Sequence, residues 1–295
     1  AVGTSALSTE DAHGRNVAVG YAALLTQNAG TDAYNVAVGY DAGTAVTTGT
    51  ENTIIGGLAG DALTTGVRNT AVGYLALSTE DAHSYNTAIG TYSLLALNAG
   101  ADGYNTAVGY NTGQAMTTGI QNTLVGGLAG DALTTGMNNV AIGKDALGSE
   151  DTGSANVAIG THALEDLNYN GSGYNTAVGH AAGRNTAIGF GALKTANYDG
   201  NAYNIAVGFG AGTAVTTGQA NVLMGGLAGY NLTTGHYNVA IGMQALENED
   251  ANGRNVAIGQ EALQTLNAGA DGYNVAVGFQ AGHLMTTGTK NTLIG

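Results

Sequence analysis

Four Glu-Asp pairs are the side chains in this sequence best suited to acid–base chemistry. They lie in predicted turns, at Glu10-Asp11, Glu80-Asp81, Glu150-Asp151 and Glu249-Asp250. Pairs that are separated by four stacked coils would lie about 19 Å from one another along the stack. A glycosidase needs its two carboxyl groups within about 5–10 Å of each other. We therefore expect these pairs to be solvated turns, and no Ser–His–Asp arrangement stands out, so we predict that the chain is not an enzyme.

Loops rich in Asn, Asp and Gly are a second candidate, because their oxygen atoms could bind Ca²⁺. None of these loops has the ligand density of an EF-hand or of a Gly-Gly-x-Gly-x-Asp repeat. The six His residues do not cluster at the spacing that a metal site requires. We predict no metal and no cofactor, and the alternative is weak calcium binding at Asp32, Asp102, Asp199 and Asp271.

A set of tyrosines is the third candidate, since each follows the longest type of loop and precedes the same Asn-containing motif. The residues are Tyr34, Tyr104, Tyr174, Tyr203 and Tyr273. Tyr combines an apolar ring with a polar hydroxyl, so these side chains could contact glycans. The alternative is structural, with each ring capping the edge of a coil.

The element that must position all these residues is a five-residue motif that recurs along the chain. It consists of Asn, a β-branched residue, usually Ala, then Val or Ile, then Gly, and we number its Asn as position 0. A self-similarity of this kind indicates a repeat architecture. The motif Asn residues are Asn16, Asn35, Asn52, Asn69, Asn86, Asn105, Asn122, Asn139, Asn156, Asn175, Asn185, Asn204, Asn221, Asn238, Asn255, Asn274 and Asn291.

The spacing of the motif is regular at two levels. Most steps between motif Asn residues are as long as the step from Asn52 to Asn69, and a step that is two residues longer also recurs. Four consecutive steps form a 70-residue super-repeat, as from Asn16 to Asn86. One much shorter step, from Asn175 to Asn185, interrupts the pattern, and we predict an irregular short coil at 175–185. We interpret 1–295 as a single repeat domain and, because it begins within a repeat, as a segment of a longer chain.

Each motif predicts a short β-strand, because β-branched residues favour a pleated surface. Positions +1 and +3 share one face of the strand, and positions 0, +2 and +4 share the other. We assign the β-branched face to the interior of the coil, although the reverse assignment, with Ala inside, remains open. A second short strand is expected after each Gly. The fold class is therefore all-β, a parallel β-solenoid with one coil per 17–19 residues.

Stacked coils would place equivalent Asn residues above one another, and we expect their amides to form a structural ladder. A single coil is too thin to bury a large core, so a second burial surface is needed to offset the entropy of ordering. The Ala-rich face offers that surface, and closed cyclic assembly is the usual solution.

Composition excludes several classes of partner. The net charge is −14 and Lys and Arg total only 7, which argues against nucleic-acid binding and against an anionic membrane surface. No apolar run approaches the ~20 residues of a membrane span. The chain has no Cys, so disulfides and thiol catalysis are excluded.

The recurring Asn-Val/Thr-Ala-Val/Ile-Gly motif resembles the head repeat of the YadA-like trimeric autotransporter adhesins. It is also similar to the repeat shafts of certain phage tail fibres, and the resemblance covers nearly the whole chain. It implies a left-handed parallel β-roll, a homotrimer around one axis and an extracellular role in attachment. The adhesin repeat is shorter than the repeat of this chain, and no coiled-coil stalk, membrane anchor or tail-fibre chaperone domain occurs in this sequence.

These patterns predict a structural and adhesive extracellular fibre segment, a stiff trimeric rod that mediates attachment through multivalent contact. Its partners would be further copies of itself and a surface glycan or host receptor. The owner would be a bacterial cell surface, or, as the alternative, a virion with this chain as its tail-fibre shaft. A further alternative is an ice-binding β-solenoid, which would need a flat Thr array on consecutive coils. The Thr-Thr-Gly turns occur in only two of the four coil classes and do not supply one.

Overall fold

A computed structural model describes residues 1–11, 14–165, 176–179, 185–195 and 203–295. The regular secondary structure of this part is all-β, as predicted, with one three-residue strand at positions +1 to +3 of each motif. It contains no helix that is long and apolar enough to cross a membrane. The strands fall into two compact units, with β1–β8 in the first and β9–β17 in the second.

The strands of the first unit are β1 (Val17–Val19), β2 (Val36–Val38), β3 (Thr53–Ile55), β4 (Thr70–Val72), β5 (Thr87–Ile89), β6 (Thr106–Val108), β7 (Thr123–Val125) and β8 (Val140–Ile142). Those of the second unit are β9 (Val157–Ile159), β10 (Thr176–Val178), β11 (Thr186–Ile188), β12 (Ile205–Val207), β13 (Val222–Met224), β14 (Val239–Ile241), β15 (Val256–Ile258), β16 (Val275–Val277) and β17 (Thr292–Ile294).

Within each unit, every strand pairs in parallel and in register with the next strand of the chain. In the first unit, Val17 lies opposite Val36, and Thr53 lies opposite Thr70. The same pairing runs from β9 to β17 in the second unit. Since each coil places one strand beside the next, both units are parallel β-solenoids, as the sequence predicts.

The predicted irregular coil at 175–185 lies partly outside the described residues, which omit Asn175 and 180–184. Strand β10 is described and pairs with both of its neighbours. Ala177 of β10 lies opposite Ala187 of β11. The strand register therefore continues across the short step.

The strands face the opposite way from our assignment. Ala18 and Ala37, at position +2, are buried, whereas Val17 and Val19, at +1 and +3, are exposed. The interior assignment of the β-branched face was wrong, and the alternative with Ala inside is correct. The reason is space, because the return side of the coil already fills the narrow interior with large side chains.

The return side is a tight turn and not the second strand that we expected. Positions +6 and +8 both adopt left-handed backbone conformations, as at Ala22 (φ 49°) and Leu24 (φ 50°). Two such residues cannot continue an extended strand. Where +8 is Gly, a neighbouring side chain takes the space, since a Cβ on Gly43 would lie 2.8 Å from Cδ1 of Ile54.

The core of each unit is a narrow file of side chains from position +2 and from the return side. Burial of each large side chain contributes roughly 1.5–3 kcal/mol. The largest fully buried side chains include Leu24, Ile54, Leu63, Leu77, Leu94, Leu97, Met116, Leu124, Leu133, Leu147, Leu164 and Leu193.

Candidate functional site

The motif Asn residues lie inside the coils. Those of the first and last copies, Asn16 and Asn291, are half-buried, Asn175 is outside the described residues, and the other described ones are buried. A buried amide needs hydrogen-bond partners. The neighbouring coils and the turn of the same coil supply them.

Each Asn links its own coil to the next one. The Oδ1 atom of Asn52 accepts a hydrogen bond from the backbone N–H of Asn69 at 2.8 Å. The Nδ2 atom of Asn52 donates to the carbonyl of Gly66 at 2.9 Å, which closes the turn of its own coil. The expected amide-to-amide bonds occur at some steps, as from Asn52 Nδ2 to Asn35 Oδ1 at 3.1 Å.

The regular contact between coils is one that we did not anticipate, a hydrogen bond from the backbone N–H of one motif Asn to the Oδ1 atom of the motif Asn before it. It is present at every step between consecutive described motif Asn residues, at 2.8–3.3 Å. The described Asn side chains therefore have a structural role, and those that are buried are not accessible to a ligand.

The acidic turns are solvated only in part, since Asp11, Asp81 and Asp250 are exposed as expected but three of the Glu side chains are not. Glu80, Glu150 and Glu249 are fully buried. They occupy position +11, which in other coils carries an interior apolar residue such as Leu63. The Oε1 atom of Glu80 accepts from the backbone N–H of His83 at 3.1 Å. These carboxylates thus stabilise turns from within, and the recurrence of Leu, Val and Met at +11 was the signal for their burial.

Burial raises the pKa of the Glu249 carboxyl above its ordinary value, because the charged form loses solvation. Hydrogen bonds from Asn252 oppose this increase. The backbone N–H of Asn252 donates to Glu249 Oε1 at 3.3 Å, and its Nδ2 donates to the same oxygen at 2.9 Å.

One group of residues in the first unit has the composition of a metal site. The ligand atoms of Glu80, Asp81 and His83 lie within 4.8 Å of one another. His83 Nδ1 is 2.8 Å from Glu80 Oε1 and 4.0 Å from Asp81 Oδ1. The 2.8 Å contact is a hydrogen bond within the turn, and nothing further there indicates an ion.

The described calcium candidates, Asp32, Asp102 and Asp271, lie in different coils. Asp32 pairs with Arg15 at 3.1 Å, and Asp271 pairs with Arg254. Asp102 is exposed, and Asp199 lies outside the described residues.

The predicted glycan-contact tyrosines belong to a longer column on the outer surface, at position −1. We call this set the −1 column, and its described members all have φ near +55°. The members are Arg15, Tyr34, Glu51, Arg68, Tyr85, Tyr104, Gln121, Asn138 and Ala155 in the first unit, and Tyr203, Ala220, Tyr237, Arg254, Tyr273 and Lys290 in the second. Tyr174 lies outside the described residues.

Neighbours in the −1 column cover each other's flat faces. The rings of Tyr85 and Tyr104 stack with centroids 4.8 Å apart and planes 3° apart. The guanidinium of Arg68 lies over the Tyr85 ring at 5.8 Å, and that of Arg15 lies over Tyr34 at 5.5 Å. The rings therefore lie across the stacking direction, and the hydroxyls of Tyr34 and Tyr85 accept hydrogen bonds from Arg15 and Arg68.

A second outer surface is the branched face, which we define as the side chains at positions +1 and +3 of the strands. In the described strands it carries Val, Ile, Thr and Met and no charged residue. Sequence reasoning missed this surface because it placed these side chains inside. A pattern that could have revealed it is the pairing of large side chains at position +2 with Gly at +8, as at Ile54 with Gly60 and Leu124 with Gly130.

Aromatic residues follow the branched face at position +5. Tyr21 and Tyr40 stack with ring centroids 5.3 Å apart, and Phe190 and Phe209 do so at 5.7 Å. All four rings are exposed.

Both outer surfaces present apolar, aromatic and hydroxyl groups, which are suited to binding through packing and hydrogen bonds. The chain matches no protein-family model, no curated protein and no solved structure in comparisons with each.

Proposed function

We propose that this chain is the rod segment of an extracellular attachment fibre, in which three copies pack together through their branched faces. The observation that carries the proposal is the outward orientation of positions +1 and +3. Val, Ile, Thr and Met side chains that a single chain leaves exposed or half-buried form two files in each unit.

The size of this face supports an interface. Strands about 4.8 Å apart make the face of the eight-stranded first unit about 38 Å long, and with a width of about 10 Å it covers on the order of 400 Å². The largest apolar patch on a typical monomer covers roughly 300–600 Å² and is often functional. The second unit presents a comparable face of its own.

Charge distribution supports contact between identical chains. Each copy carries a net charge of −14, so copies would repel one another through most surfaces. The branched face is uncharged in the described strands, and two copies can meet there without apposing like charges.

A threefold arrangement requires two contact surfaces on each chain, one for each neighbour. The branched face and the aromatic residues at +5, such as Tyr21 and Tyr40, provide two adjacent sets. The left-handed trimeric β-roll and the 70-residue super-repeat belong to this proposal. The contact surface differs from our expectation, because the Ala-rich face is buried within the chain.

Attachment would come from the flanks of the rod. In this proposal the chain is not an enzyme and holds no cofactor, and it contacts a surface glycan or a host receptor through repeated weak contacts. A bacterial cell-surface adhesin is the preferred owner, and a phage tail-fibre shaft is the alternative with the same architecture.

One observation supports a second candidate function, ice binding. Five consecutive coils place Thr at position +1 on the outer face, at Thr53, Thr70, Thr87, Thr106 and Thr123. The Thr-Thr-Gly turns do not contribute, because hydroxyls such as that of Thr64 donate to the next coil, in this case to Asp81 O at 2.7 Å. Thermal hysteresis in a solution of the chain would favour this function over the fibre.

The test of the fibre proposal is the molar mass in solution, measured by light scattering. We expect about three times the chain mass of 29.2 kDa. The variant Ile89→Lys places a charge on the branched face and should shift the mass towards that of one chain. Gln121→Lys is the matched control, because position −1 already accommodates Lys290. A single-chain mass for the unsubstituted protein would refute the assembly.

A further inference from the structure

The −1 column of the second unit contains a gap. Tyr203, Ala220 and Tyr237 follow one another in three consecutive coils, so a methyl group separates two aromatic side chains. The three residues share one backbone conformation, with φ values of 55°, 53° and 59°. Their side chains therefore leave the coil in the same direction, and Ala220 forms the floor between the two rings.

The stacking distance in the column sets the width of this gap. Neighbouring rings at position −1 lie 4.8 Å apart where both are present, as for Tyr85 and Tyr104. Tyr203 and Tyr237 are two coils apart, so their rings lie about 9.6 Å from each other. Carbon atoms in contact are about 3.5–4.0 Å apart, so the gap admits one further ring between the two tyrosines.

Exposure of the rings agrees with an open gap. Tyr203 is 71% exposed, whereas Tyr273, which has Arg254 over its ring at 5.5 Å, is 52% exposed. The far side of Tyr237 is covered by Arg254 at 5.6 Å. Tyr237 is thus supported from one side and faces the gap with the other.

Polar groups border the gap. His236 and Gln219 precede Tyr237 and Ala220 in the chain, and both are exposed. His236 Nδ1 accepts the backbone N–H of Gln219 at 3.0 Å. In neutral His236 this bond leaves the proton on Nε2, which can donate to a ligand, while the Gln219 amide can donate or accept.

We propose that Tyr203, Ala220 and Tyr237 form a binding slot for one pyranose ring of a saccharide. The two rings would contact the two C–H faces of the sugar, and His236 and Gln219 would bind its hydroxyl groups. The width favours a pyranose over an aromatic ligand, because the axial hydrogens of a chair thicken it and a flat aromatic ring would leave the slot loosely filled.

The slot rests on the proposed attachment function and specifies its ligand as one pyranose ring of a saccharide, but it does not depend on the assembly of three chains. It lies in the −1 column and not on the branched face, so a chain that remains single would still contain it. Failure of the trimer and failure of the slot are therefore separate results.

The test uses the full chain and three probes, the hexasaccharides of β-1,4-linked glucose, β-1,4-linked N-acetylglucosamine and α-1,4-linked glucose. Binding is followed by saturation-transfer NMR and by titration. We expect at least one probe to bind, with saturation transferred to its axial C–H protons. Tyr203→Ala should weaken that binding at least about tenfold, the effect of losing about 1.4 kcal/mol of ring contact.

Ala220→Tyr is the decisive variant, because it fills the slot with a residue that the −1 column already accommodates at Tyr104 and Tyr273. It should abolish binding and leave the circular dichroism spectrum unchanged. Gln121→Tyr adds the same side chain in the first unit and should not affect binding. Arg254→Ala should create a second slot between Tyr237 and Tyr273 and raise the stoichiometry from one to two sites per chain.

Binding of none of the three probes overturns the proposal. So does binding that Ala220→Tyr leaves intact, since a filled slot cannot hold a sugar.

Discussion

The backbone N–H of Asn139 donates a hydrogen bond to the Oδ1 atom of Asn122 at 2.9 Å. Asn139 repeats the arrangement towards the next coil, where its own Oδ1 accepts the N–H of Asn156 at 2.9 Å. Its Nδ2 atom donates to the carbonyl of Gly153 at 2.9 Å. One side chain thus holds together two coils and the turn of its own coil.

Replacement of this side chain should destabilise the solenoid locally. Asn139→Ala leaves the N–H of Asn156 and the carbonyl of Gly153 without their partners inside the coil. Each unsatisfied buried group costs about 1–3 kcal/mol, so we expect the two groups together to lower the free energy of unfolding by about 2–6 kcal/mol, measured by denaturant titration. Asn138→Ala is the matched control, because Ala155 and Ala220 already occupy its column. Equal effects of the two substitutions would contradict the role of the buried amide.

Adjacent glycines should respond very differently to Ala. Gly56 has φ +137°, and a Cβ there would lie 2.3 Å from the carbonyl oxygen of Gly73 in the next coil. A Cβ on Gly57 would lie 3.6 Å from the nearest atom, in the Tyr74 ring. We expect Gly56→Ala to disturb native stacking and lower the melting temperature by at least roughly 5 °C, since a backbone atom cannot move aside and overpacking alone costs about 1–3 kcal/mol. Gly57→Ala should melt within a few degrees of the unsubstituted chain, and the reverse order would be inconsistent with the structure.

Glu249 should make the second unit more stable in mild acid. Its folded-state pKa lies above its ordinary value of 4.5, with burial as the main cause. The folded chain then holds the proton more tightly than the unfolded chain, so this stabilisation is complete below pH 4.5 and is lost as the pH rises through the folded-state pKa. Glu249→Gln removes the charge, and the buried Gln27 shows that position +11 accepts an amide. The variant should melt higher than the unsubstituted chain at pH 7, and the difference should shrink as the pH falls towards the ordinary pKa of Glu.

Glu261→Gln should change the pH dependence of the melting temperature in the opposite direction. Hydrogen bonds from Gln280 and Gln260 lower the pKa of Glu261, so its contribution is present at pH 7 and is lost as the pH falls through the lowered value. A difference for Glu249→Gln that grows on acidification would show that burial does not dominate at this site.

The repeat period and the parallel solenoid follow from the sequence, because seventeen copies of one motif at nearly constant spacing require equivalent coils. The alternation of side chains along each strand did not predict which face of the strand points into the coil. A period of two shows which residues share a face, but not which face is buried. Val and Ile usually mark the interior, and here the interior has no room for them at position +2 in coils with Leu at +8, such as Leu24 or Leu77. Large side chains at position +2, such as Ile54 and Leu124, occur with Gly at +8, and this compensation was the available evidence that +2 faces inward.

The outer surfaces were predicted only in part. The tyrosines that follow the longest loops, such as Tyr34 and Tyr273, were predicted, but their stacking with Arg15 or Arg254 depends on register between coils. Buried Glu80 and Glu150 were misjudged because an acidic pair in a turn is normally solvated. Their backbone hydrogen bonds, which offset the cost of burial, arise only once the turn closes around them.

The most direct test of the threefold assembly uses the absence of Cys in the chain. Ile89→Cys places a single thiol on the branched face, and Gln121→Cys places one in the −1 column as the control. After mild oxidation and denaturing electrophoresis, the account predicts disulfide-linked pairs of chains for Ile89→Cys, with the third chain of each trimer left single, and almost none for Gln121→Cys. Equal cross-linking of the two variants, or none at Ile89→Cys, would contradict the assignment of the branched face as the contact surface between copies.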